Sequence, residues 1–232
     1  MDPQDAAPEE DRDRDLDAAT PERPHAGHSQ VAAGEQDYLY DFFLSYRSES
    51  FQDGWIQTAL LPTLEATFMR EWGRKPKIHD FRTTRQGVEI PSEVKRKLAY
   101  SKCLLPLWCA GYFQSRWCLW ELEVMMRREA ALGMRSDERP EGLVLPILVG
   151  DGRAFPDYTW RIHHLDVRNY VYSTPAFLGS AKFLEFQDAI RRWIPDAIRT
   201  VEMTPAWQPS WLTAEEPAPP DAAKPEDWTP LV

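Results

Sequence analysis

The chain is poor in cysteine, has no long apolar run, and lacks the glycine and histidine constellations of common cofactor and metal sites. Its three cysteines, Cys103, Cys109 and Cys118, are odd in number and fall within sixteen residues. That is not a secreted disulfide framework, and reduced thiols in a cytoplasmic protein are expected. No apolar stretch approaches the roughly 20 residues that span a bilayer, so no membrane partner is expected. The first twenty residues alternate Asp and Arg with no apolar leader core, so no signal peptide is expected there. No Gly-rich phosphate fingerprint occurs. His163 and His164 are adjacent, point different ways and have no Cys or acid constellation around them, so no metal is expected. Cys109 and Cys118 have no placed histidine to act as base, which argues against a thiol nucleophile.

Positive charge is also scarce, but only at the ends. The formal net charge is -10; residues 1–36 contribute -7 and residues 205–232 contribute -4, leaving +1 for 37–204. The acidic tails exclude binding of nucleic acid or anionic membrane through them, and the near-neutral middle leaves an anionic ligand open. Residues 1–36 are rich in Asp, Glu, Ala and Pro, with too little apolar surface to offset chain entropy, and are expected to be a disordered acidic tail. Residues 205–232 carry seven prolines and are expected to be a second, Pro-rich acidic tail. Trp207, Trp211 and Trp228 are the groups in it available to dock on a surface.

What is present in the middle alternates between two patterns. Tyr40–Tyr46, Lys77–Phe81, Cys103–Trp108 and Leu143–Val149 are short apolar runs of strand length, and Asn169–Tyr172 is a weaker fifth. Helical stretches run from about Gly54 to Glu71, Pro91 to Tyr100, Ser115 to Leu132 and Phe177 to Trp193. Pro62 implies a kink or late start in the first, and Pro91 suits a first helical turn. Apolar strands alternating with helices mean an α/β fold with a parallel sheet covered on both faces. Pro106 and Pro146 sit awkwardly in strands three and four, because central strands use their N–H groups. Ligands of such sheets sit beyond the carboxyl ends of the strands, where strand order reverses. The rim there holds Tyr46-Arg47-Ser48, the 80–87 loop and the loop Cys109–Arg116.

One acid stands out. On a helix, the neighbours of Glu121 are Trp117, Cys118, Val124 and Met125, none of them basic. A carboxylate among apolar groups tends to have a raised pKa and to mark a site. Arg128 lies two turns along roughly the same side. Glu123, by contrast, has Arg127 four residues on, the spacing of a surface pair.

These pieces resemble the Toll/interleukin receptor (TIR) domain. Asp41-Phe42-Phe43-Leu44-Ser45-Tyr46-Arg47 resembles its first box. Asp80 through Gly87 and Ile90, followed by a helix ending at Ser101, resembles its long loop after the second strand. Ser115-Arg116-Trp117-Cys118-Leu119-Trp120-Glu121-Leu122 is similar to the helix-opening motif of the NAD-cleaving members, especially the plant and bacterial branches, and Pro146-Ile147 also fits. The resemblance covers about residues 37–200, within a domain expected over 37–204. One departure is the loop, which lacks the usual acid just after Asp80 and carries Arg82 and Arg85.

The resemblance implies a flavodoxin-like sheet of five parallel strands flanked by the tails. It implies an NAD+ glycohydrolase or cyclase with Glu121, the acid of the Trp-x-x-x-Glu pattern, as the catalytic group. NAD+ is then a consumed substrate, with no cofactor. Trp117 is assigned the ribose or nicotinamide, Tyr46 and Arg47 the nicotinamide half and phosphates, and Arg82 and Arg85 the pyrophosphate. Each also has a plainer reading: Glu121 as a helix-start acid favoured by the dipole, Trp117 as core, Arg47, Arg82 and Arg85 as solvated charge, Cys118 as a small buried hydrophobe. An uncoupled NAD-consuming enzyme is toxic, so the resemblance implies regulated use in immunity, either bacterial anti-phage defence or an effector aimed at a host, with defence expected because no export signal is expected. Activation by self-association into an oligomer or filament goes with it, triggered by an upstream sensor protein or a nucleotide signal. The alternative is a non-catalytic interaction module assembling through the 80–90 loop. A phosphoacceptor receiver domain is disfavoured, because strand three ends Trp108-Cys109 where that chemistry needs an Asp.

Overall fold

A computed structural model describes residues 37–48, 52–81, 90–153 and 155–213, without the side chains of residues 90, 91 and 213. The first strand, β1 (Tyr40–Ser45), is buried on both faces from Asp41 onward, as an apolar run inside a parallel sheet should be. The chain then enters α1 (Asp53–Trp55), passes through a π-helical segment (Ile56–Leu60) and continues as α2 (Leu61–Trp72). Pro62 is the cause. It has no N–H to offer the preceding turn, and the ladder widens just before it: the Leu61 N–H donates to the Ile56 carbonyl, five residues back.

β2 (Ile78–Asp80), α3 (Ile90–Ala99) and β3 (Ser101–Trp108) follow, then a 3-10 turn (Tyr112–Gln114) and α4 (Arg116–Ala131). β4 (Ile147–Leu148), a 3-10 turn (Asp157–Arg161), β5 (Leu165–Asp166), a third 3-10 turn (Arg168–Tyr170), α5 (Pro175–Leu178), α6 (Ala181–Met203) and α7 (Ser210–Thr213) complete the order. The strands form one five-stranded parallel sheet, β2-β1-β3-β4-β5. Right-handed crossovers place α2 on one face and α3 and α4 on the other; α6 packs against α2 and closes the first face. This is the flavodoxin-like α/β architecture, and its strand order reverses between β1 and β3.

The two prolines are accommodated by breaking one seam. The register sets Pro106 level with Pro146: Leu104 bridges Val144 before them, and Leu107 pairs with Ile147 after them. Neither proline has to donate, and β4 proper shrinks to two residues.

Two expected boundaries shift. The fifth strand is not Asn169–Tyr172 but Leu165–Asp166; Arg168–Tyr170 is a 3-10 turn. Tyr170-Val171-Tyr172 has strand-like composition, but the parallel partner of β4 is set by hydrogen bonds from the Leu165 and Val167 N–H groups to the carbonyls of Pro146 and Leu148. The helix expected over Phe177–Trp193 starts at Ala181, capped by Ser180, and runs through Pro195 to Met203. Ile190, Trp193, Ile194, Ala197 and Val201 stay buried along one face, and that burial outweighs the bond lost at Pro195.

The beginning of the expected C-terminal tail is packed. Trp207 and Trp211 are buried with Tyr38 and Ala99 in a small cluster of their own. The Trp207 indole stacks on Tyr100 with centroids 5.1 Å apart, and its N–H donates to the Ala99 carbonyl at 3.1 Å. Seven prolines do not prevent docking of an aromatic pair that has a ready apolar surface. Among the described residues, no helix is long and apolar enough to cross a membrane.

Candidate active site

The carboxyl ends of β1 and β3 meet at the reversal of strand order, and the last residue of β1 there is Ser45. The 3-10 turn after β3 brings Tyr112 back over this point, and α4 then starts. Ser115 caps α4, accepting from the Cys118 N–H at 3.4 Å. Glu121 is the sixth residue of α4, beyond the first turn where the helix dipole favours an acid. It is only 8% exposed. The helix-start explanation therefore does not account for it.

Glu121 has no cation beside it among the described residues. The Ser45 hydroxyl lies 2.5 Å from its Oε2. Burial pushes the Glu121 carboxyl up to about 8, and the Ser45 hydrogen bond offsets only part of that rise. Ser45 Oγ is also 3.1 Å from the Tyr112 hydroxyl, which donates to the Cys118 carbonyl at 3.1 Å. Burial raises the Tyr112 phenol well above its usual range and raises the Cys118 thiol as well. Cys118 is a buried, protonated neighbour rather than a nucleophile. Arg128 is not a partner of Glu121: its guanidinium donates to the carbonyls of Ser101 and Leu98, at the opposite end of β3, and lies over Trp211. Glu123 pairs with Arg127 on the surface.

The other expected site residues are distributed as follows. Trp117, one turn before Glu121, is buried and meets Trp120 edge-on at 5.8 Å. Tyr46 is half-buried, and its hydroxyl donates to Asp80 Oδ1 at 2.9 Å across the β1–β2 ends. Arg47 is exposed, with its stem against Gly111 in the loop after β3. Arg82 and Arg85 lie outside the described residues. The rim is drawn tight by Gly150, after β4: a Cβ there would stand 2.8 Å from Cys109 Cα, so only glycine lets the two strand-end loops close together. Against that closure, Trp108, Phe113, Phe155 and Trp160 form an aromatic cluster, with Phe113 and Phe155 centroids 4.7 Å apart. His164 packs on it through Trp108 and Trp160.

Ser45, Tyr112 and Asp80, with Gln57 donating to Asp80 Oδ2 at 3.0 Å, are the participants that sequence reasoning did not single out. Ser45 had one usable signal, its place as the last small polar residue of an apolar strand. Tyr112 had none, since its partners are 67 residues away and on the following helix.

The chain matches the family model of the TIR domain over residues 42–177. Among solved structures it is similar to the TIR domains of the activated Roq1 resistosome directly recognizing the pathogen effector XopQ. That likeness has 21% identity, covers 71% of this chain and 84% of the other, and has a TM-score of 0.34, too loose to support an argument about site or assembly. The family match spans more than half of the chain, from inside β1 through Glu121 to α5, and the chain belongs to the TIR domain family.

Proposed function

We propose that this TIR domain cleaves the nicotinamide–ribose bond of NAD+, releasing nicotinamide and giving ADP-ribose or a cyclic isomer, with Glu121 as the catalytic carboxyl. The observation that carries the reading is a buried acid, without a cationic partner among the described residues, at the strand-order reversal of a parallel sheet. A protein does not hold an acid in that state for stability, because an unpaired buried carboxylate is costly.

The chemistry suits it. Nicotinamide leaves a cationic pyridinium as a neutral molecule and needs no general acid. The transition state is oxocarbenium-like, as in glycoside cleavage. A carboxylate facing the ribose accepts hydrogen bonds from its hydroxyls and stabilises the growing positive charge in a site closed to water. With its carboxyl near 8, Glu121 is largely protonated at neutral pH; the positive nicotinamide ring favours its ionised form on binding. One ribosyl cation then serves either outcome, capture by water or by the adenine end of the same molecule. In this reading Trp117 backs the ribose or nicotinamide, the Tyr46 ring faces the nicotinamide half, and Arg47, Arg82 and Arg85 serve the phosphates.

Self-association is proposed as the switch. The Glu121 carboxyl is nearly closed off in the single chain, so the rim must move or be completed before a ribose reaches it. A toxic activity kept shut in the monomer fits immune signalling, and anti-phage defence in the cytoplasm is the setting proposed, with a sensor protein or nucleotide signal upstream.

Incubating the full chain with NAD+, dilute and at high concentration, tests this by chromatography for nicotinamide and mass spectrometry of the products. Nicotinamide from wild type and none from Glu121→Ala is expected. Turnover surviving that substitution would remove Glu121 from the chemistry. No turnover in any assembly state would leave a non-catalytic interaction module.

A further inference from the structure

The hydrogen count around Glu121 distinguishes its two protonation states. Ser45 has one hydroxyl hydrogen and two oxygens placed to receive it, Glu121 Oε2 at 2.5 Å and the Tyr112 hydroxyl at 3.1 Å. Tyr112 also has one hydrogen, given to the Cys118 carbonyl at 3.1 Å. All three side chains are buried. When Glu121 is protonated, it donates to Ser45, Ser45 donates to Tyr112, and Tyr112 donates to Cys118: three hydrogens fill three contacts. When Glu121 is ionised, two hydrogens remain for the same three contacts. Ser45 then turns to the carboxylate, and the Ser45–Tyr112 contact is left with two oxygens and no hydrogen between them.

Resting on the reading of Glu121 as the working carboxyl, we propose that Ser45 and Tyr112 are positioning residues that form a hydrogen-bond switch on it. Ser45 stabilises the carboxylate, and Tyr112 competes for the Ser45 hydrogen and so favours the protonated acid. The proton released on ionisation goes to water, and no other covalent bond changes. The switch joins the two strands whose ends flank Glu121, since Ser45 ends β1 and Tyr112 follows β3. A cationic substrate arriving beside Glu121 draws the Ser45 hydrogen away from Tyr112. Among the described residues, the titratable groups outside the trio that act most strongly on it are Cys118 on α4 and Tyr158 in the 157–161 turn. No Lys, Arg, Asp or other Glu is among them.

The two hydroxyl deletions are expected to act in opposite directions. The measurement is a titration of the Glu121 carboxyl in the full chain without nucleotide, by NMR of 13C-labelled glutamate, with the resonance assigned by its loss in Glu121→Gln. Ser45→Ala is expected to lower the ionisation constant by about ten- to a hundredfold, the worth of a hydrogen bond to a charged group. Tyr112→Phe is expected to raise it, and Ser45→Thr, which keeps the hydroxyl, to return it close to wild type. A plain packing role gives no such opposition. Shifts in the same direction, or no shift in either, overturn the switch. If Ser45→Ala does not fold, Tyr112→Phe carries the test alone, and an unchanged or lowered ionisation constant overturns it. No nucleotide is used, so the outcome is separate from turnover. Failure of wild type to release nicotinamide contradicts the NAD+ reading and leaves the switch standing. A same-direction shift contradicts the switch even in an active enzyme, where the acid limb of the kcat–pH profile is expected to follow each titration.

Discussion

Glu121 and Glu129 are buried carboxyls on one helix, about 12 Å apart along its axis, and they are treated in opposite ways. Glu129 accepts from the Arg135 guanidinium at both oxygens, 2.8 Å each, and from the backbone N–H groups of Leu143 and Val144. Those bonds pin the chain as it enters the β4 seam. A Cβ on Gly142 would collide with both Glu129 and Arg135, so glycine leaves room for the pair. Among the described residues, Glu121 has one serine hydroxyl and no arginine. The lesson is that burial alone does not mark a functional acid. An acid whose charge is met inside the fold holds structure; one left unmet at the ligand rim is poised for a charge that comes from outside. Glu123, paired with Arg127 in solvent, is the third setting on the same helix.

Substituting the three glutamates one at a time exposes the difference. Glu129→Gln should have the largest effect on stability, about 3–5 kcal/mol lost, because it removes the charge that meets Arg135 and sets an amide NH2 where Oε2 accepts from its guanidinium. Urea unfolding measures it, and a loss under about 1 kcal/mol would deny Glu129 its structural role.

Glu121→Gln should go the other way, with a pH signature. The folded-state value near 8 stands above the ordinary 4.5, so the native protein binds more protons than the unfolded chain between those values. Stability from this group is full below about pH 4.5 and is lost as pH rises towards 8. The Gln variant, free of that loss, should be more stable than wild type by roughly 4 kcal/mol near pH 8, with the gap shrinking to about 1 kcal/mol at pH 5. A pH-independent difference would mean that Glu121 ionises normally.

Glu123→Gln should have the smallest effect, within about 0.5 kcal/mol at any pH, as exposed i,i+4 pairs contribute little. A larger loss would show that surface charge on α4 matters more than its buried acids.

Legibility in the sequence followed the range of the interactions involved. Glu121 was legible because its anomaly is local: the residues three and four away are Trp, Cys, Val and Met. The parallel α/β sheet was legible because its central strands β1 and β3 are apolar over most of their length and alternate with helices. Ser45 and Tyr112 were not, because their contacts with Glu121 and with each other are made by the closing of β1 and β3. β5 was misplaced because a two-residue strand has no period to read, while Tyr170-Val171-Tyr172 beside it has the composition of one. Trp207 and Trp211 were visible as apolar residues in a Pro-rich stretch, but the surface that receives them is tertiary.

The assignment of Glu121 is tested most directly by nicotinamide release from NAD+, measured near pH 8 on wild type and Glu121→Gln at matched concentration, with unfolding curves confirming that both are native. Release by wild type and at least about a hundredfold less by the variant is expected. Equal release by the two folded proteins would contradict it.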